Sequence, residues 1–135
     1  MLLQRMLIGL GLVLLAVGAY YVYARWQSRH IAERQKHDPI LAALKPGRPA
    51  VIYFWSEDCA PCLLVQKPAL RQLEDDLGGE RIQVIPVDAA HEIELARAWG
   101  VMSLPTTFVL DAEGVVRHVN HGVARADKLR RQLAA

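Results

Sequence analysis

Cysteine is scarce in this chain: of 135 residues only Cys59 and Cys62 carry a thiol, and neither lies near the N-terminal apolar run. That rules against a lipid-modified N-terminus, which would need a cysteine where the run ends. A basic stripe interleaved with aromatics is also missing. With 16 Lys and Arg against 14 Asp and Glu, the formal charge is +2, so no nucleic-acid partner is implied. No internal repeat and no low-complexity tract occurs. His91, His118 and His121 are present, but none stands at ligand spacing from the cysteine pair, so neither a metal nor another cofactor is expected. Finally, charge is absent from Met6 to Ala24.

That last absence divides the chain. Residues 1–5 form a short tail, and residues 6–24 an apolar run. At about 1.5 Å per helical residue the run spans roughly 28 Å, close to the hydrocarbon thickness of a bilayer. Tyr20, Tyr21, Tyr23 and Trp26 gather at one end, where an interfacial aromatic belt belongs. Two readings fit: a cleaved signal peptide, with small-residue exits at Ala19 or Ala24, and a retained anchor. Length favours a single-pass anchor in the lipid bilayer. Residues 25–38 are charge-dense. Their basic residues are diluted by Glu33 and Asp38, so a spacer suits them better than a patch for anionic lipid. Arg25, Arg29, Arg34 and Lys36 follow the run, whereas only Arg5 and the amine precede it. Taken alone, that balance places the downstream domain in the cytoplasm.

Residues 39–135 alternate between strand and helix patterns. Pro39 to Leu44 reads as a helical turn, and Ala50 to Trp55 as a buried central strand. Ala60 to Leu77 reads as a helix with an apolar stripe at Leu63, Leu64, Leu70, Leu73 and Leu77, stopped by Gly78 and Gly79. Ile82 to Val87 reads as another buried strand, and Glu92 to Trp99 as a short helix. Thr106 to Leu110 and Val115 to Asn120 flank the turn signal at 111–114, which makes them a hairpin. Arg125 to Leu133 closes the chain as a helix. The order implies an α/β fold whose mixed central sheet has a parallel pair, an antiparallel hairpin and helices on both faces.

The cysteines sit where the first strand meets its helix, as Cys59-Ala-Pro-Cys62. A sulfur in a helix's first turn is stabilised as a thiolate by free backbone N–H groups and the helix dipole. Pro61 is tolerated there because its missing N–H costs no intrahelical bond. Cys62, three residues on, shares the same face and can close a disulfide. The arrangement suits thiol–disulfide exchange, with Cys59 exposed and attacking and Cys62 resolving. A static disulfide closing so small a loop gains little stability. A Zn(II) or Cu(I) site and a tethered interaction module are the rival readings. Trp55, just ahead of the motif, is a candidate to line the site.

The strand order together with Cys59-Ala-Pro-Cys62 and Val101-Met-Ser-Leu-Pro105-Thr106 resembles the thioredoxin-like fold over residues 39–135. Phe54, Trp55 and Glu57 match as well. The resemblance implies a cis peptide bond before Pro105. It also implies a substrate-binding surface formed by Trp55, Ala60, Pro61, Leu104, Pro105 and Thr106 around catalytic Cys59 and Cys62. What it further implies is a protein-disulfide oxidoreductase acting on protein disulfides and coupled to an upstream thiol–disulfide electron donor or acceptor. The Ala-Pro pair between the cysteines leans toward a reductant, with a disulfide oxidase or isomerase as the alternative.

The departures are also informative. Tyr53 stands where the family carries a buried aspartate, Asp58 where a tryptophan precedes the first cysteine, and Leu63 where a lysine or arginine often follows the second. One extra residue separates Cys62 from Pro68. Bacterial thioredoxin-like proteins tethered by a single span are the better match. They mostly face outward, which favours a bacterial cell membrane location with the domain on the extracytoplasmic side, against the charge balance.

Overall fold

The computed structural model describes residues 1–134, and side chains outside residues 27–37. The chain forms two compact units, Met1–Ala42 and Ala43–Ala135.

In the first unit, helix α1 (Leu2–His37) runs without a break from the apolar run into the charged segment. Its stretch Leu2–Trp26 is long and apolar enough to cross a membrane and is not buried, a test that a signal sequence near an N-terminus also passes. The charged-spacer reading of 25–38 rests mostly on side chains outside the described ones. A short helix α2 (Pro39–Ala42) follows. Asp38 caps it, accepting the N–H groups of Ile40 at 2.8 Å and Leu41 at 3.3 Å, and Pro39 occupies a first-turn position where no donor is missed.

The second unit is built on a four-stranded sheet of order β2-β1-β3-β4. Strand β1 (Ala50–Trp55) is central and buried along all but its last residue. It pairs parallel with β2 (Gln83–Asp88) and antiparallel with β3 (Thr106–Leu110), which in turn pairs antiparallel with β4 (Val116–His121). The sequence pattern makes 82–87 a buried strand, and here the structure differs. β2 is an edge strand, mostly half-buried, with Pro86 exposed. An edge needs ladder donors on one side only, so a proline is tolerated there. The hairpin turn is held by Asp111, whose Oδ1 accepts the N–H groups of Glu113 and Val115. Gly114 supplies the positive φ of 80°.

Alternation along β1 splits the core. Val51 and Tyr53 face a cluster with Cys62, Leu70, Leu73, Val109, Ala124 and Leu129, beneath helices α3 (Lys67–Leu77) and α5 (Ala126–Ala134). Each fully buried leucine there contributes about 1.5–3 kcal/mol. Phe54 and Phe108 face the other way, where they meet the ring of Trp99 at the end of helix α4 (Ile93–Ala98). Helices therefore cover both faces, as the element order implies.

The segment after the cysteines departs from the expected regular helix. Cys62–Gln66 forms a π-helical turn that leads into α3. Lys67 donates its N–H to the Cys62 carbonyl five residues back. Such a turn absorbs one extra residue without breaking the helix and rotates what precedes it. The apolar stripe is corrected accordingly: Leu64 is 75% exposed and Val65 42%, whereas Gln66 is fully buried.

Candidate active site

The site begins where β1 ends. The chain turns at Ser56, whose carbonyl accepts the Cys59 N–H at 3.2 Å. Cys59 then caps the helix that starts at Ala60. Its carbonyl accepts from Leu63, and its Sγ accepts the Cys62 N–H at 3.2 Å. Cys59 and Cys62 form a disulfide with Cα atoms 5.3 Å apart. Cys62 is fully buried and Cys59 half-buried, so an incoming sulfur meets Cys59 first. Once reduced, a thiolate on Cys59 faces the Cys62 N–H and the positive end of the helix, both of which stabilise it. Glu57 and Asp58, just upstream, are exposed. Their charges oppose that thiolate, weakened by the water around them.

Beneath the disulfide, the Tyr53 hydroxyl donates to the Cys62 carbonyl at 2.6 Å. The same oxygen accepts the π-turn bond from Lys67, so both of its lone pairs are occupied. Burial pushes the Tyr53 phenol up to about 12. At neutral pH it is a fixed donor and not a proton acceptor.

The second element of the site is the turn before β3. The Leu104–Pro105 peptide bond is cis. Thr106 is buried, and its hydroxyl donates to the Ser103 carbonyl at 2.6 Å, which ties the turn down. The Pro105 carbonyl accepts the N–H of Gly122 at 2.8 Å. Trp55, Cys59 and Leu104 are partly buried and pack on the cluster that holds Cys62. Of the residues that the sequence singles out, the disulfide joins Cys59 to Cys62, and Trp55 and Leu104 share the cluster on which they pack. Ala60 and Pro61 are exposed on the first helical turn. The side chain of Thr106 is fully buried.

Leu104 helps to line a groove together with Ala89, Ile93, Arg97, Val101 and Met102. Met102 is 93% exposed and Ile93 50%. Sequence reasoning does not single out Ile93 or Met102. The available signal is an apolar Met two residues before Leu104, in a turn that has to face solvent. Gln66 is likewise missed. Its Nε2 donates to the Ala124 carbonyl at 2.9 Å, and its Oε1 accepts the Ala124 N–H at 2.8 Å. Three histidines fall among the residues with described side chains. His118 is half-buried on β4 and His121 exposed, and His91 Nδ1 lies 2.9 Å from Asp88 Oδ2. Partial desolvation works against the Asp88 charge, but the His91 ring and the N–H groups of Ala90 and His91 outweigh it and hold the carboxyl below its ordinary value. Among the described residues no group of three or more His, Cys, Asp or Glu is placed to hold a metal ion.

The family model that matches the chain is Thioredoxin, over residues 30–135. A thioredoxin of Bacillus subtilis is 35% identical over 63 residues, 47% of this chain and 59% of that protein. One from Streptomyces clavuligerus is 30% identical over 87 residues, 64% of this chain and 78% of the relative. A solved thioredoxin-like protein from Clostridium perfringens superposes with a TM-score of 0.57 at 27% identity, covering 70% of this chain and 75% of its own. The chain thus spans little more than half of the Bacillus relative's length.

Proposed function

Because the chain belongs to the thioredoxin family, we propose that it is a thiol–disulfide oxidoreductase that reduces disulfides in proteins. The observation that carries this is the unequal burial of the two sulfurs at a helix start, Cys59 half-buried and Cys62 fully buried. In the reduced enzyme the Cys59 thiolate attacks one sulfur of a substrate disulfide. An S–S bond forms to Cys59, the substrate S–S bond breaks, and the leaving thiolate takes a proton from water. Cys62 gives its proton to water, which returns one to the departing substrate sulfur, and the Cys62 thiolate then attacks Cys59 Sγ. The Cys59–Cys62 disulfide forms and the second substrate thiol departs. Two electrons pass to the substrate, and an upstream dithiol donor must restore them.

The groove beside the cis turn supports an extended segment of a protein as the substrate. Its apolar wall at Ile93 and Met102 takes side chains, and the turn at Leu104 offers backbone. On this reading Trp55, Ala60, Pro61, Leu104, Pro105 and Thr106 form the substrate-binding surface, as the family resemblance implies. The apolar helix supports a single-pass tether in a lipid bilayer. Likeness to tethered bacterial proteins supports an extracytoplasmic domain, although the basic residues after the span argue the other way. Labelling Cys59 in reduced intact cells with a membrane-impermeant maleimide distinguishes the sides.

The test of the function is a redox titration of the full chain in detergent, read by thiol trapping. A potential near about −270 mV marks a reductant, whereas about −120 to −180 mV marks an oxidase or isomerase. Cys59→Ser abolishes turnover, and Cys62→Ser accumulates mixed disulfides. If both variants keep full activity, exchange is not the function.

A further inference from the structure

Gln66 is in an unusual place. The residues before it, Leu63, Leu64 and Val65, are apolar, and burying any of them in its position would add hydrophobic stabilisation. Instead the π-turn leaves Leu64 and Val65 exposed and buries an amide completely. A buried amide is costly unless paired. Here both ends are paired, and both with one residue, Ala124, 58 positions along the chain. Ala124 lies in the loop between β4 and α5, outside any strand ladder. Two residues earlier Gly122, at φ 92°, sends its N–H to the Pro105 carbonyl. A continuous path of hydrogen bonds and short chain therefore leads from the Cys62 turn through Gln66 to Ala124, Gly122 and the cis turn. The two halves of the site lie on separate segments, and this path links them by directional bonds.

We infer that Gln66 is a positioning residue: it sets the loop at 122–124, and through it the cis turn, at a fixed place relative to the Cys59–Cys62 turn. This rests on the exchange reading given above. The consequence is selective. A protein substrate has to lie across both halves at once, so its reaction depends on their mutual position. A small disulfide needs only Cys59. If the amide merely fills a hole and satisfies Ala124, its loss weakens the domain without distinguishing substrates.

The test uses the full chain in detergent and the variant Gln66→Leu, with Gln66→Glu, which keeps an acceptor for the Ala124 N–H, as the second should the first not fold. The kcat/KM for insulin disulfides is divided by that for 5,5′-dithiobis(2-nitrobenzoate). Loss of one to two buried hydrogen bonds at the junction is expected to lower this ratio about tenfold. Amide hydrogen exchange supplies a readout independent of activity. The Gly122 N–H should exchange about tenfold faster or more, while Ile52 and Phe54 in β1 keep their protection. A ratio that stays constant, or a Gly122 amide that changes only in step with β1, overturns the inference. Inactivity of the unsubstituted protein toward both disulfides overturns the exchange reading instead, and Gly122 exchange then decides whether Gln66 holds the loop.

Discussion

The two faces of the sheet are built from different materials. Under α3 and α5 a polar row crosses three strands in register, Tyr53 beside Thr107 and Thr107 beside Asn120. Tyr53 reaches the Cys62 carbonyl, and Asn120 bonds Thr107 and exchanges two bonds with Gln132. Among the described residues no buried side-chain nitrogen or oxygen is left without a hydrogen bond. The opposite face packs the buried rings of Phe54 and Phe108 against the half-buried Trp99, with centroids 5.0–6.2 Å apart. Ring packing is strong but tolerant of small shifts, whereas hydrogen bonds fix distances and directions. The disulfide rests on the polar face. The face that carries the chemistry thus adds a row of directional bonds to its apolar cluster, whereas the opposite face relies on ring packing.

The largest effect expected from this division is on stability at the aromatic face. Phe54→Ala removes a fully buried ring from a three-ring cluster and should cost about 3–5 kcal/mol, measured by chemical denaturation of the full chain. The redox potential of the surviving folded fraction should stay as it is. A loss below about 1 kcal/mol would mean that the rings do not anchor this face.

Tyr53 tests the polar face. Its folded-state value of about 12 lies above the ordinary 10.0, so the neutral phenol is favoured by folding. The contribution is complete below pH 10, declines as pH rises from 10 to 12, and is gone above that. Two units correspond to roughly 2–3 kcal/mol. A denaturation series across pH 9–12 should show that decline, and Tyr53→Phe should abolish this part of it. The same variant leaves the buried Cys62 carbonyl with one donor and should lose about 1–3 kcal/mol at neutral pH. An unchanged alkaline limb in Tyr53→Phe would remove Tyr53 from the account.

A smaller effect is expected at Thr107→Val, which takes away the hydroxyl that accepts from Asn120 but leaves Asn120 its two bonds to Gln132. The cost should be about 1 kcal/mol in denaturation. A cost as large as that of Phe54→Ala would erase the distinction between the faces.

Much of this was legible in the sequence for particular reasons. Val51 to Phe54 is an apolar β-branched and aromatic run, a pattern that central strands share. Cys59 and Cys62 stood out by their spacing where a strand meets its helix, and Pro105 through the resemblance of residues 101–106 to the family's proline turn. Edge or centre was not legible for β2: Ile82, Val84 and Val87 read alike in both, and strand order depends on pairing with distant segments. The π-turn was legible only as one extra residue before Pro68. Helical periodicity assumes a constant 100° per residue, so it put Leu64 inside and had no place for Gln66. An amide that bonds a residue 58 positions away leaves no local pattern to read.

The smallest effect lies outside both faces and serves to separate them from the hairpin turn. Burial raises the Asp111 carboxyl, but the N–H groups of Val115 and Glu113 and the guanidinium of Arg117 outweigh it and hold the group below its ordinary value. A depressed carboxyl stabilises the fold above its unfolded value and loses that contribution as pH falls through the folded one. The sign is opposite to that of Tyr53. Acid should therefore loosen the turn, and alkali the site-bearing face. Because the Arg117 side chain is 59% exposed and a fifth of the Asp111 side chain stays in solvent, solvent screening keeps the effect below about 1 kcal/mol. Asp111→Asn should flatten the acid limb below the ordinary carboxylate range and leave the alkaline limb as it was, whereas Tyr53→Phe should do the reverse. If either substitution changes both limbs, the turn and the polar face are coupled, and the two-faced description has to give way to a single cooperative network.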